Sequence, residues 1–78
     1  MKKLIYKERP LDLHGCKHAE VIHLVENYVL PRQQLLPLKI ITGDSDKMRS
    51  LVIECLKALR FKYKIGDSFN NGFIVVLK

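Results

Sequence analysis

Seventy-eight residues carry 14 Lys and Arg against 8 Asp and Glu, a formal net charge of +6, and 47% of the chain is hydrophobic. That length holds one small domain, and the apolar fraction excludes a largely disordered chain. No apolar run approaches the roughly 20 residues that cross a bilayer, and the basic start from Met1 to Pro10 has no apolar stretch behind it, so a cytoplasmic domain without membrane span or signal peptide is expected.

The elements follow in order. Residues 1–9 read as an amino-terminal extension and residues 10–78 as the domain. Pro10-Leu11-Asp12-Leu13-His14-Gly15 alternates apolar and polar before a glycine, the pattern of a short strand and its exit turn. From Lys17 to Leu30, Val21, Ile22, Leu24, Val25, Tyr28 and Val29 recur at helical spacing. Pro31 halts that helix and Pro37 fences a loop from Arg32 to Leu36. Leu38 to Thr42 is a second strand ending at Gly43.

Asp44-Ser45-Asp46 then offers three N-cap residues in a row. Met48, Leu51, Val52, Cys55 and Leu59 form one helical stripe behind them. Phe61-Lys62-Tyr63-Lys64-Ile65 alternates strictly, with an apolar face expected in the core and a basic face outside. Asn70-Asn71-Gly72 marks a turn, and Phe73 to Leu77 is a continuous apolar strand, expected to be central or covered on both faces. The order β-α-β-α-β-β predicts an α/β two-layer sandwich, a mixed four-stranded sheet packed against two helices. Its first three strands run parallel and its last antiparallel.

Two cysteines make no disulfide framework, so Cys16 and Cys55 are expected as free, structural thiols. His14, Cys16, His18 and His23 lack the paired spacing of a zinc site. The excess positive charge favours a polyanionic partner, nucleic acid before an anionic membrane surface.

Both parallel strands end in a motif, Leu11-Asp12-Leu13-His14-Gly15 and Ile41-Thr42-Gly43-Asp44-Ser45. In open α/β sheets such strand ends share one edge, where the helix starts aim unpaired N–H groups at a ligand. Here the sequence resembles a family. Leu11-Asp12-Leu13-His14-Gly15 matches the LDxH(G) signature of Smr (small MutS-related) domains. Thr42-Gly43-Asp44-Ser45 is similar to the second family motif, HGxG or TGxG, and the likeness spans roughly residues 10–77.

The resemblance implies nucleic-acid binding, with DNA-nicking or RNA-cleaving endonuclease activity, and thus hydrolase chemistry, in several members. It also implies a fold like that of the C-terminal domain of translation initiation factor three. By position, Asp12 and His14 become the expected catalytic pair. Thr42, Gly43 and Arg49 become the expected nucleic-acid contacts, and the cations Lys47 and Lys17 are expected to join them. His14 suits a general base and Asp12 could orient it or bind a divalent cation such as Mg²⁺. Thr42 could hydrogen-bond a phosphate oxygen.

Two departures weaken the second motif. Ser45 replaces its last glycine, and Asp44 stands where many members carry Lys. Asp44 and Asp46 together repel a phosphate at the helix start. The expectation is therefore a stand-alone Smr-like domain binding, and nicking, structured DNA or RNA. The alternatives are a binding module without cleavage, and an adaptor that takes a protein partner on the open sheet face.

Overall fold

The computed structural model describes residues 5–67 and 69–78. The start of the expected extension, residues 1–4, and Ser68 in the last turn lie outside the described residues. Strand β1 is Leu11–Asp12, helix α1 is His18–Val29, strand β2 is Leu38–Ile41 and helix α2 is Asp46–Ala58. Strands β3, Lys62–Ile65, and β4, Phe73–Leu77, complete the chain. The sheet order is β1-β2-β4-β3. β1 pairs parallel to β2, and β4 lies between β2 and β3, antiparallel to both. The expected mixed two-layer architecture is therefore the observed one, and the apolar run Phe73–Leu77 is the central strand because both its neighbours bury it.

Period-two alternation sorts the strand side chains. Leu38 and Ile40 of β2 and Ile74 and Val76 of β4 face the helices, where they meet Val21, Val25, Val29, Val52 and Leu56, each no more than 1% exposed. Helices α1 and α2 pack against each other. One side of the sheet is therefore covered, and the other carries Lys39, Phe73, Val75, Lys62 and Lys64. Register puts Lys39 and Lys64 on either side of Val75. Val75 is nonetheless only 2% exposed, as expected where lysine stems lie along apolar surface with their ammonium groups in water. The Lys39 ammonium sits 4.3 Å from the centre of the Phe73 ring.

The structure changes three local expectations. β1 is two residues long, because the Cys16 N–H bonds the Leu13 carbonyl at 2.9 Å and closes a turn there. The segment after α1 is a 3-10 helix, Leu30–Leu35, with Pro31 in its first turn, where a missing N–H costs nothing. Ile65, expected in the core with Phe61 and Tyr63, is 46% exposed, whereas those two pack on the core. It ends an edge strand with a neighbour on one side only. Beyond these expectations, α2 ends in a left-handed residue that is not glycine, Arg60 at φ 65°. There the Phe61 N–H reaches back to the Leu56 carbonyl at 2.9 Å, which satisfies an end carbonyl of the helix.

Among the described residues, no helix is long and apolar enough to cross a membrane. Cys16 and Cys55 are free thiols, half-buried and buried. Burial, and then the nearby Glu26 carboxylate, push the Cys55 thiol up from its ordinary value. Both make it a less reactive nucleophile.

Candidate functional site

Three connections meet at the carboxyl edge of the parallel strands: the β1–α1 turn, the β2–α2 turn and the β3–β4 loop. Parallel pairing places Asp12 opposite Ile41, and the Leu13 N–H continues the ladder to the Ile41 carbonyl at 2.9 Å. The two motif-bearing turns are therefore neighbours. A methyl group placed on Gly43 would sit 3.7 Å from Cδ2 of the His14 ring.

In the first turn, Gly15 holds φ 84°, the left-handed geometry that a type II turn asks of its third residue. His14 occupies the outer corner and is exposed, as is Asp12. An Asp12 carboxylate oxygen accepts the backbone N–H of His14 at 2.9 Å. Asp12 thus grips the main chain of the turn rather than the imidazole. Lys17 follows as the N-cap of α1, exposed and without a side-chain cap bond. The first amide groups of α1 accordingly have no side-chain acceptor from the cap.

The second turn is built differently. Thr42 is 3% exposed, and its hydroxyl donates to the Gly43 carbonyl at 3.1 Å. This expected phosphate ligand thus stabilises its own turn. The backbone N–H groups of Thr42 and Gly43 both donate to the Gly72 carbonyl, at 2.8 and 2.9 Å. Gly43 holds φ 70°, where a side chain is strained. Ser45, the departure from the motif glycine, is the N-cap of α2: its hydroxyl accepts the Met48 N–H at 3.1 Å.

Arg49 ties this region together. Its guanidinium donates to the Gly43 carbonyl at 3.1 Å and to the Asn71 carbonyl at 3.2 Å, and pairs with the Asp46 carboxylate. Only 14% of the Arg49 side chain is exposed. Lys47 and Asp44 are exposed beside it. Of the expected contacts, the structure thus gathers Asp12, His14, Gly43 and the α2 start on one edge. His14, Lys17 and Lys47 face outward there, while Thr42 and Arg49 are turned inward.

The β3–β4 loop was not among the expected site elements, although topology puts it here. β3 runs parallel to β1 and β2, so the hairpin after it must return at the same edge. Its Asp67 carboxylate accepts the N–H groups of Phe69 and Asn70, both at 2.8 Å. Those two bonds hold the Asp67 carboxyl below the usual carboxylate range, with Lys64 and Lys39 adding to the effect and slight desolvation opposing it. The Asn70 side chain accepts the Gly72 N–H at 2.8 Å. At Gly66, φ is 47° and a Cβ would fall 2.2 Å from the Asn70 carbonyl oxygen, so only glycine fits.

Among the described residues, no three His, Cys, Asp or Glu side chains converge where they could hold a metal ion. In the first turn a divalent cation would find the carboxylate of Asp12, and would complete its shell with substrate oxygens and water. A depression of about 690 Å³ lined by Leu30, Pro31, Gln33, Gln34 and Leu35 lies toward the opposite edge and holds no ionisable side chain. Compared with known proteins, the chain matches no family model, no curated protein and no solved structure.

Proposed function

We propose that this protein binds structured DNA or RNA along the edge where the three connections meet, and cleaves the bound strand with His14. The observation that supports the reading most is the adjacency of the two strand-end turns, which sets an exposed imidazole and an exposed carboxylate beside a glycine turn. The Smr-like motifs Leu11-Asp12-Leu13-His14-Gly15 and Thr42-Gly43 fall on those turns, and the net charge of +6 favours a polyanion.

In this mechanism His14 takes the proton of an attacking hydroxyl or water. The freed oxygen bonds to phosphorus, and the bond to the leaving oxygen breaks as that oxygen takes a proton from solvent. Asp12 is a positioning residue, holding His14 at the turn corner through its main chain. Lys17 and Lys47 hold the backbone by charge.

A second reading, binding without cleavage, is favoured by the inward-turned second motif. Arg49 is engaged with two carbonyls and Asp46, and the Asp44 carboxylate is exposed where a phosphate would dock. One experiment separates the two. The pure protein is incubated with supercoiled plasmid and with structured RNA, with Mg²⁺ or with EDTA. Cleavage that disappears in His14→Ala establishes the enzyme, and equal cleavage by the variant assigns the activity to contamination. Binding without cleavage in every condition establishes the second reading. Binding should weaken with salt by about 0.9 log unit per log unit for each phosphate contacted on duplex DNA. Failure to bind either nucleic acid at low salt overturns both readings.

A further inference from the structure

The β3–β4 loop displays a side chain that its fold does not explain. Phe69 is 99% exposed, the most exposed of the large apolar residues described. The turn does not call for it: Asp67 and Asn70 supply the side-chain hydrogen bonds, and Phe69 contributes only its backbone N–H. Backbone bonds close the loop at its base. The Asp67 N–H bonds the Asn70 carbonyl at 2.9 Å, and the Gly66 N–H bonds the Phe73 carbonyl at 2.8 Å. Ordering that a ligand would otherwise have to impose is already in place.

The same loop is anchored to the candidate site. Its Asn71 carbonyl accepts from Arg49, and its Gly72 carbonyl accepts from Thr42 and Gly43. The loop that carries the ring is therefore hydrogen-bonded to the second strand-end turn. The charge leading into the loop selects among apolar partners: Lys64 and Lys39 flank Val75 on the open sheet face, and the Lys39 ammonium lies over the Phe73 ring at the start of β4. Lysines on the sheet face that leads into this loop, with an exposed aromatic on the loop itself, complement a ligand with both phosphates and π faces.

We propose that Phe69 is a stacking platform for an unpaired base, so that nucleic acid held at this edge is single-stranded where it crosses the β3–β4 loop. This rests on the nucleic-acid reading above and names its substrate class. Base–aromatic stacking is tolerant of sequence, because every base offers a π face.

The chain contains no Trp, so Phe69→Trp introduces a single reporter at the proposed contact. Its fluorescence is quenched on titration with a short single-stranded oligonucleotide and unchanged with a blunt duplex. Phe69→Ala weakens single-strand binding about 5- to 150-fold. It leaves blunt-duplex affinity within about twofold, the scatter of an ordinary surface substitution. Phe69→Leu behaves like the alanine variant, since leucine has bulk but no π face.

Three results overturn the proposal. One is Phe69→Ala binding the single strand as wild type does. Another is full recovery in Phe69→Leu, which assigns the ring to an apolar protein or lipid contact. The third is a tryptophan that the oligonucleotide does not quench. In each of these, binding by the wild type leaves the broader function standing. Wild-type protein that binds neither strand nor duplex removes both.

Discussion

The two turns that close β1 and β2 lie side by side yet spend their polar groups differently. The first sends His14 and Lys17 into solvent and uses one carboxylate, Asp12, to brace its backbone. The second consumes nearly everything it has: Thr42 bonds its neighbour, Ser45 caps α2, and Arg49 bridges two carbonyls and a carboxylate. A polar side chain serves a ligand only when the fold leaves it unspent. By that measure the first turn is the one left free to carry the proposed chemistry, and the second braces the edge on which it sits.

That contrast can be broken by substitution, and the largest expected effect lies in the first turn. His14→Ala should lower the cleavage rate about 10²- to 10⁴-fold, the range for a lost general base. Its thermal midpoint should stay put, because the ring is exposed. A collapse in stability with activity per folded molecule intact would reverse the assignment. Arg49→Ala should do the opposite. It leaves the Gly43 and Asn71 carbonyls without their charged donor, at a cost of roughly 1.5–3 kcal/mol for the most engaged bond. For a domain this size each kcal/mol shifts the midpoint by roughly 4–8 °C, readable by circular dichroism. An unchanged midpoint would show the guanidinium to be free for substrate after all.

Smaller effects sharpen the picture. Ser45→Ala removes the cap of α2 and should cost about 1 kcal/mol, whereas Ser45→Asp should retain most of it. If Ser45→Gly instead strengthened nucleic-acid binding while alanine cost nothing, the residue would belong to the ligand and not to the helix. The smallest effect concerns acid. Because the Asp67 carboxyl is held low in the folded loop, its contribution is in place above the ordinary carboxylate pKa and fades as pH falls through the folded value. The amide signals of Phe69 and Asn70 should report a midpoint below that of a free aspartate. A midpoint at the ordinary value would mean that the loop is not braced there.

Particular residues show how much of this was legible beforehand. The stripe Met48-Leu51-Val52-Cys55-Leu59 was readable as core because helical periodicity commits one face to burial: Met48, Val52 and Cys55 are buried, and Leu51 and Leu59 are half-buried against the core. The run Phe73–Leu77 was readable as a central strand because it lacks a polar face. The meeting of Asp12 and His14 with Gly43 followed from parallel pairing alone. By contrast, Ile65 alternates as faithfully as Tyr63, and only its place at the end of an edge strand leaves it exposed. Arg49 reads as a free cation until the Gly43 and Asn71 carbonyls are set on either side of it, 6 and 22 residues away in the chain.

Sequence by itself determined the order of the strands and α-helices, most of each helix's buried face and which motifs end which strands, since these depend on neighbours within a turn or two. Tertiary structure alone decided that β4 inserts between β2 and β3, that the β3–β4 loop joins the strand-end turns, and which polar groups remain unpaired. Hydrogen-bond donors and acceptors take whichever partner the whole fold brings within reach, and that partner is written nowhere in the local pattern.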